Sequence, residues 1–269
     1  MIQAVRVLAV RELVRFFRQP HRVVGSLAQP LIIWIFLGSG FSSSFQAPGL
    51  EGVSYLEYFY PGILLMLILF SGIFSTITVI EDRNQGLLQA VLTAPIPRLA
   101  IVMGKIVGAL IIALLQTAVL LVVAPFLGLS LSFGAVLLLI VGLIITALGF
   151  TALGFLIAWN MESTAGFHAI MSLFLMPLWM LSGALFPLES SPGWLQTVMI
   201  INPVTHALKL IRLPFYETPS ALLASSDYLL ALAIASIWAI VCIGLAVVRV
   251  NRIEKGGKGA ALQALGNQL

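Results

Sequence analysis

The segment EDRNQGLLQAVLTAPIPRLAIVMGK, residues 81–105, is charged and contains prolines, and it separates the two most apolar regions of the chain. Residues 59–80 precede it and residues 106–161 follow it, and neither region contains Asp, Glu, Lys or Arg. An uncharged run of about 18 residues or more is long enough to cross the hydrocarbon core of a bilayer. The sequence therefore predicts a membrane protein in which residues 81–105 lie in water between two spans.

The same segment predicts one short amphipathic helix over residues 81–94. Its apolar residues recur at helical spacing and leave a polar face opposite: Leu87, Leu88, Val91 and Leu92. Pro95 and Pro97 end the helix, because proline has no amide donor and disfavours helix in the residue before it. The periodicity leaves two interpretations open: a helix whose leucines rest on lipid headgroups, or a docking surface for a soluble partner.

Composition excludes an ordinary soluble domain. Of the 269 residues, 60% are hydrophobic and 9% are charged, against about 25% charged residues in a typical soluble domain. The net charge of +4 comes from basic residues at the ends of predicted spans, and these do not form a patch interleaved with aromatic residues. Nucleic-acid binding is therefore not expected. The single cysteine, Cys242, excludes an internal disulfide.

Hydropathy and turn residues predict an all-α membrane protein with six spans. The predicted spans are residues 23–40, 59–80, 100–124, 134–159, 166–186 and 228–248. Pro125 and Gly128 mark the turn between the third and fourth spans, and Pro177 is expected to kink the fifth. We therefore divide the chain into an amphipathic helix at 1–22, a transmembrane domain at 23–249 and a tail at 250–269 that is expected to be disordered.

The amino-terminal helix carries four arginines on one stripe: Arg11, Arg15, Arg18 and Arg22. Apolar side chains lie together on another face: Val10, Leu13, Val14 and Phe17. This pattern is typical of a helix that lies in the membrane interface with its arginines reaching anionic headgroups. Membrane lipids are therefore predicted partners.

Residues 187–227 predict two half-length helices separated by a break at Asn202 and Pro203. Such a pair is re-entrant or interfacial, because neither half is long enough to cross. Lys209 and Arg212 share a face of the second half. We interpret them as anchors that extend to the headgroups, with contact to an anionic substrate as the alternative.

Basic residues predict the orientation. Arginines and lysines are frequent at both termini and in the 81–105 segment, whereas the intervening outer loops contain only Lys209 and Arg212. By the positive-inside rule, both termini and the 81–105 segment face the cytoplasm. We expect the inner membrane of a bacterium.

The residues also limit the function. No predicted span centre carries an ionisable side chain, which disfavours ion coupling, and no phosphate-binding loop is present. His168 and His206 have no matched nucleophile or metal-ligand set by spacing. A transporter without its own energy source suggests a permease driven by a separate ATPase. An ion-coupled secondary carrier and a membrane assembly protein that transports nothing remain alternatives.

Two ordered motifs resemble the ABC-2 export permeases, in particular the branch of drug-efflux and nodulation-oligosaccharide exporters. The first motif begins with YPG at 60–62, continues through Asp82, Arg83, Gly86 and Leu87, and ends with APIPR at 94–98 and GK at 104–105. The second is NPVTHALKLIR at 202–212, which matches the signature Asn202, Pro203, Thr205, Lys209 and Arg212. One position departs from the family, because Asn84 stands where the family often has Glu.

The resemblance implies a transport subunit rather than an enzyme. Two copies would pair around a central path, and each would bind one ABC ATPase subunit that holds ATP and Mg, with no cofactor in this chain. The substrate would be a drug or an amphipathic, lipid-linked or glycan-linked molecule that leaves the cytoplasm. The coupling helix would carry Glu81, Asp82, Arg83, Gly86, Leu87, Leu88 and Val91. The path would be lined by Phe70, Ser71, Phe74, Ser75, Met171 and Ser172, although Ser71 and Ser75 also fit a helix-packing role.

Overall fold

A computed structural model of the protein describes residues 1–41 and 52–266, with side chains described as far as residue 251. Within these ranges the chain is helical, and no strand is present. Six helical segments are long and apolar enough to cross a membrane: Pro20–Phe41, Tyr55–Asn84, Arg98–Leu121, Phe133–Trp159, Thr164–Ala184 and Ser226–Asn251. The prediction of an all-α protein with six spans is confirmed.

The described residues form twelve α-helices, numbered here in chain order. They are α1 (Ile2–Phe17), α2 (Pro20–Phe41), α3 (Tyr55–Ser75), α4 (Thr78–Asn84), α5 (Leu87–Thr93), α6 (Arg98–Leu121), α7 (Phe133–Trp159), α8 (Thr164–Trp179), α9 (Gly193–Ile201), α10 (Pro203–Arg212), α11 (Pro219–Ala224) and α12 (Ser226–Gly266). Two 3₁₀ turns lie at Ala124–Leu127 and Leu213–Phe215, and a π-helical turn lies at Met180–Ala184. Together α3 and α4 form the second span.

The central helix of the bundle is α3. Nearly all of its residues are buried, and it packs against α2, α6, α7, α8 and α10. Because lipid tails are as apolar as leucine, close packing rather than transfer from water stabilises such a helix. At the crossing with α7, a Cβ atom on Gly72 would lie 2.8 Å from Thr151 Oγ1, and one on Gly154 would lie 2.9 Å from Ile73 Cα. These glycines let the two helices approach closely.

The YPG motif at 60–62 connects α3 to its neighbours. The Tyr60 hydroxyl donates to the Leu120 carbonyl of α6 at 2.8 Å, and the Trp179 indole donates to the Gly62 carbonyl at 2.8 Å. A Cβ atom on Gly62 would lie 2.8 Å from the Cβ of Ala184. The motif therefore serves helix packing at one end of the second span.

The turn between the third and fourth spans forms where the sequence predicts it. Pro125 lies in the first turn of a 3₁₀ helix, and Gly128 ends that helix with a φ of 77°. Such a left-handed conformation suits glycine, which has no Cβ to clash. Ser132 then caps α7 by accepting a hydrogen bond from the Ala135 amide at 3.3 Å.

The fifth span departs from helical geometry at Gly183 rather than at Pro177, so the predicted position of the kink is wrong. Pro177 lies inside α8, and the backbone breaks in the π-helical turn, where Gly183 has a φ of 89°. The Gly183 carbonyl accepts hydrogen bonds from the Tyr58 hydroxyl and from Arg212, both at 2.9 Å. These two donors satisfy the carbonyl that the kink frees.

The predicted break at Asn202 and Pro203 is present between α9 and α10. The Asn202 side chain accepts from the Val204 amide at 3.0 Å and donates to the Leu178 carbonyl at 2.6 Å. Helix α10 is largely buried against α3, α7 and α12. The Arg212 guanidinium lies over the Tyr58 ring at 4.2 Å, so it points into the bundle and is not a headgroup anchor.

The single helix predicted over residues 81–94 is wrong. Glu81, Asp82 and Arg83 belong to α4, the last turns of the second span, and α5 begins only at Leu87. The two helices are separated by Gly86, whose φ of 75° is left-handed and ends α4. Leucine periodicity across the break concealed this glycine signal.

The predicted disordered tail at 250–269 also differs from the structure. Helix α12 continues through Gly266, and residues 267–269 lie outside the described part. The sequence after Val250 contains no proline and ends in the helix-forming run AALQAL at 260–265. This run favours helix, whereas Gly256, Gly257 and Gly259 before it do not.

Candidate functional site

A cluster of six charged side chains joins α1 to the second and third spans. It contains three cations and three carboxylates: Arg11, Arg15, Lys105, Glu12, Glu81 and Asp82. The first span lies outside the cluster, which connects α1, α4 and α6. Opposite charges balance within it, as a buried cluster requires.

Asp82 is the centre of the cluster, with only 2% of the residue exposed. Arg11 donates to both of its carboxylate oxygens, at 3.0 and 2.6 Å, and Arg15 donates to one at 2.9 Å. Lys105 also donates to Asp82. The hydrogen bond to Asp82 raises the pKa of the Arg11 guanidinium above its usual value. A two-oxygen arginine contact of this kind is among the stronger polar interactions in proteins.

Two further pairs complete the cluster. Lys105 donates to Glu12 at 2.6 Å, and both residues are buried, with 4% exposed. Arg15 donates to Glu81 at 2.5 Å at the more exposed edge. The arginine stripe of α1 therefore turns Arg11 and Arg15 towards carboxylates of the second span. The prediction that these two arginines reach lipid headgroups is wrong.

The end of the second span is also attached to the fourth. Arg83 donates to the Trp159 carbonyl at 2.6 Å and to the Met161 carbonyl at 2.8 Å, and it lies over the Trp159 ring at 5.6 Å. Asn84 donates to the Glu162 carbonyl at 3.2 Å. Arg83 thus satisfies the free carbonyls at the carboxyl end of α7. Asn84 can donate to this backbone carbonyl through its amide group. A glutamate at this position has no such donor and would need a cation as its partner.

Beyond this attachment, α5 is partly exposed. Gly86 and Leu87 are exposed, Val91 is half-buried, and Leu88 is buried. A groove of about 470 Å³ lies beside the turn before α5 and is lined by Arg11, Val14, Arg15, Arg18, Gln19 and Gln85. The predicted coupling residues thus separate into a buried set, centred on Asp82, and an exposed set on α5.

A cavity of about 380 Å³ lies between α2, α3 and α8. Four residues predicted for the path line it: Phe70, Ser71, Phe74 and Ser75. Met171 is buried and Ser172 is exposed, and neither lines the cavity. The structure therefore brings together the path residues from the second span and leaves out the two from the fifth.

The cavity wall is polar at one end. Arg22 donates to the Phe74 carbonyl at 2.8 Å, and the His168 ring lies 4.7 Å from the Phe74 ring. The Ser71 hydroxyl is buried and has no hydrogen-bond partner within the part of the chain that the structure describes. The helical spacing of the arginines predicted an interfacial position for Arg22, and its place in this cavity wall was not predicted. The sequence does contain one signal for this position. Arg22 lies two residues after Pro20, the first residue of the first span, so it belongs to α2 and not to the preceding helix.

Two cluster residues were also missed at the sequence level, Glu12 and Lys105. Glu12 is the one acidic residue among the five arginines that precede the first span, and Lys105 is the last charge before the uncharged run 106–161. Glu12 is thus a single negative charge among positive ones, and Lys105 is a single charge beside an apolar run. Such residues are candidates for burial in a pair.

Comparison with known proteins agrees with this architecture. The sequence profile of the ABC-2 type transporter family matches residues 3–216. The chain belongs to the ABC-2 type transporter family. The resemblance inferred from the YPG and NPVTHALKLIR motifs is therefore confirmed.

Relatives of this permease come from algae and bacteria. The protein ycf38 of Cyanophora paradoxa, whose name describes a transport permease, is 30% identical over 235 residues, 84% of this chain and 78% of the relative. The daunorubicin resistance ABC transporter permease protein DrrB1 of Streptomyces coeruleorubidus is 27% identical over 207 residues, 73% and 69% of the two chains. Nodulation protein J of Rhizobium meliloti (strain 1021) is 30% identical over 196 residues, 71% and 72%.

The family and the six helices together establish a coarse function. This chain is a multi-pass membrane protein and a transport permease of the ABC type. Family membership implies an ABC ATPase subunit as a partner.

Proposed function

We propose that this permease is the membrane subunit of an ATP-driven exporter that moves a drug or an amphipathic, lipid-linked or glycan-linked substrate out of the cytoplasm. A separate ABC ATPase subunit, holding ATP and Mg, supplies the energy. The observation that carries the proposal is the six-charge cluster. It connects an exposed surface at one end of the bundle to the buried second span.

The proposed docking surface combines the groove beside α1 with the exposed face of α5. Arg18 gives the groove its net positive charge, because the other two arginines that line it, Arg11 and Arg15, are paired with carboxylates of the cluster. Leu87 offers an exposed apolar contact next to it, with 36% of its surface accessible. A partner with an acidic rim and a small apolar pocket fits such a surface, since charge complementarity orients a partner and a central apolar anchor stabilises it.

Movement at this surface would reach the spans through rigid connections. α1 and α4 share the salt bridges of Asp82, and α6 joins them through Lys105. Arg83 connects α4 to the end of α7. A push on α1 and α5 would therefore move the second, third and fourth spans together, because buried charge pairs resist separation.

The orientation that we propose places this end in the cytoplasm, with both termini on that side of the cell's inner membrane. The arginines of α1, together with Arg83, Arg98 and Arg249, lie at this end. Lys209 and Arg212 lie in the connection between the fifth and sixth spans, at the opposite end. Basic residues concentrate on the cytoplasmic side of membrane proteins.

The transport path in this proposal runs beside the cavity between α2, α3 and α8. The outer faces of α2, α8 and α12 are the most exposed parts of the spans. A second copy of the chain would cover the α2 and α8 faces and enclose the cavity, while α12 remains in contact with lipid.

The test is co-expression of the tagged full chain with the ABC ATPases of its own genome. We expect one of these ATPases to co-purify and to hydrolyse ATP faster in the complex. Leu87→Glu should abolish co-purification, because it puts a carboxylate at the proposed apolar contact. The matched control is Leu223→Glu, which alters an exposed leucine, 57% accessible, on α11 at the opposite end. Equal co-purification of Leu87→Glu and Leu223→Glu would refute the docking surface, and no co-purifying ATPase would refute the proposed function.

A further inference from the structure

The cavity between α2, α3 and α8 has an arginine without a carboxylate partner. Arg22 is half-buried, and its one hydrogen bond in the described part of the chain goes to the Phe74 carbonyl. Glu81 also lines the cavity, but Arg15 binds its carboxylate at 2.5 Å. The guanidinium therefore keeps a net positive charge next to the cavity. Burial of an unpaired charge is costly, and an anion in the cavity would offset that cost.

Other polar groups surround the same end of the cavity. His21 and His168 line it, and neither ring has a hydrogen bond in the described residues. The Ser71 hydroxyl also lines it, on a residue with 7% exposed, and has no hydrogen-bond partner among the described residues. A buried polar group without a partner is unusual in a folded protein, and a ligand oxygen would supply the missing bond.

The part of the lining that lies farther from Arg22 along α2 and α3 is mostly apolar. It contains Pro30, Met66 and Phe70, together with the polar side chain of Gln29. Met66 lies about 12 Å along α3 from Phe74, at 1.5 Å per residue, and Phe74 is the residue that binds Arg22. The volume of about 380 Å³ is at the small end of the range for ligand sites, roughly 300–1,000 Å³. The cavity can hold a headgroup and the first part of an acyl chain.

We propose that this cavity binds an amphiphile with an anionic phosphate-type headgroup. The headgroup contacts Arg22 and the Ser71 hydroxyl, and the acyl chain extends towards Met66 and Phe70. This inference rests on the proposed export function, because it names the class of substrate that the path accepts. Arginine suits the role, since its planar guanidinium binds phosphate through two parallel hydrogen bonds.

The test uses the full chain alone, purified in a neutral detergent, with dodecyl phosphate as the probe and native mass spectrometry as the readout. We expect saturable binding of one dodecyl phosphate per chain. Arg22→Gln should weaken binding at least tenfold, because it removes the charge. The matched control is Arg18→Gln, which removes a nearby exposed arginine outside this cavity and should change binding less than twofold.

Two further variants separate binding from folding. Arg22→Lys keeps the charge and should retain measurable binding. Ser71→Leu fills the cavity, keeps Arg22, and should also weaken binding. Equal affinity in Arg22→Gln and the original chain, or equal losses in Arg22→Gln and Arg18→Gln, would overturn the proposal.

Inorganic phosphate distinguishes the source of the anion. We expect it to displace dodecyl phosphate only at far higher concentration, because it lacks the chain that the apolar end holds. Displacement at equal concentration would overturn the amphiphile assignment in favour of a free anion. The assay contains no ATPase, so loss of binding with intact ATP-driven transport would remove this inference alone. Binding without any ATPase partner would instead remove the export function.

Discussion

The double substitution of Asp82 and Lys105 should lower the free energy of unfolding by less than the sum of the losses from the two single substitutions. Positive and negative charges balance in the cluster of Arg11, Arg15, Lys105, Glu12, Glu81 and Asp82. Each single substitution leaves the cluster with one excess charge. The double substitution restores the balance, with two cations and two carboxylates remaining.

The magnitudes differ with burial. Breaking a buried charge pair by removing one partner costs about 3–5 kcal/mol. Asp82→Asn should fall at the low end, because Arg11 and Arg15 have side chains 32% and 19% exposed and can turn towards water. Lys105→Met should cost at least as much, because Glu12, with a side chain 4% exposed, then keeps a single cation among the described residues, Arg11 at 3.8 Å.

In the double variant, Arg11 no longer has the Asp82 carboxylate as a partner, so its guanidinium can form a closer salt bridge with Glu12. We therefore expect a coupling free energy of about 2 kcal/mol, within the usual range of roughly 0.5–3 kcal/mol for residues in one network. The assay is reversible unfolding of the full chain in mixed detergent micelles, followed by tryptophan fluorescence. Glu81→Gln is the control and should cost less than about 1 kcal/mol, because its pair is at the exposed edge.

Additive losses of unfolding free energy in the double variant would contradict this prediction. If the double variant loses the sum of the single losses to within about 0.5 kcal/mol, the six residues do not act as one balanced cluster. Loss of more than that sum would mean that the pair stabilises the bundle by contacts other than charge.

Two other predictions concern stability. His206 is buried, with Nε2 at 3.0 Å from the Ile200 carbonyl. Burial lowers its pKa in the folded protein. The unfolded chain, in which histidine has a pKa of about 6.5, therefore binds more protons than the folded protein does. The unfolding free energy should fall as the pH drops below about 6.5, and His206→Gln should flatten this slope in unfolding curves from pH 5 to pH 8. Gly62→Ala should lower the melting temperature, at a cost of about 1–3 kcal/mol, because its Cβ would meet the Cβ of Ala184 at 2.8 Å. Gly244→Ala, with nothing within 4 Å of its Cβ, should instead stabilise α12 by about 0.5–1 kcal/mol; equal melting temperatures for these two variants would contradict the packing argument.

The spans were predictable from the sequence because their signals are local. Uncharged runs long enough to cross a bilayer define them, and Gly128 and Asn202 mark turns through backbone geometry and capping that neighbouring residues determine. The charge cluster was not predictable in the same way. Arg11 and Asp82 are 71 residues apart, and Lys105 and Glu12 are 93 apart. Periodicity identified the arginine face of α1, but it contains no information about what that face contacts.

The candidate site was predictable in part for the same reason. The serine and phenylalanine stripe of the second span lines the cavity because one helical face of α3 carries it. The place of Arg22 in that cavity depends on how α2 packs against α3, which is a tertiary contact. The helix over 81–94 failed because hydrophobic periodicity continues across Gly86, where the backbone turns left-handed.

The wide sequence separation in the cluster has a consequence for biogenesis. Arg11 and Glu12 are synthesised before Asp82 and Lys105, so the salt bridges of α1 to these two residues cannot all form until the chain has been made as far as residue 105. The first helix can make all of these contacts only after the third span, which contains Lys105, has been synthesised and inserted. A truncated nascent chain that ends before Lys105 would therefore lack the completed charge cluster.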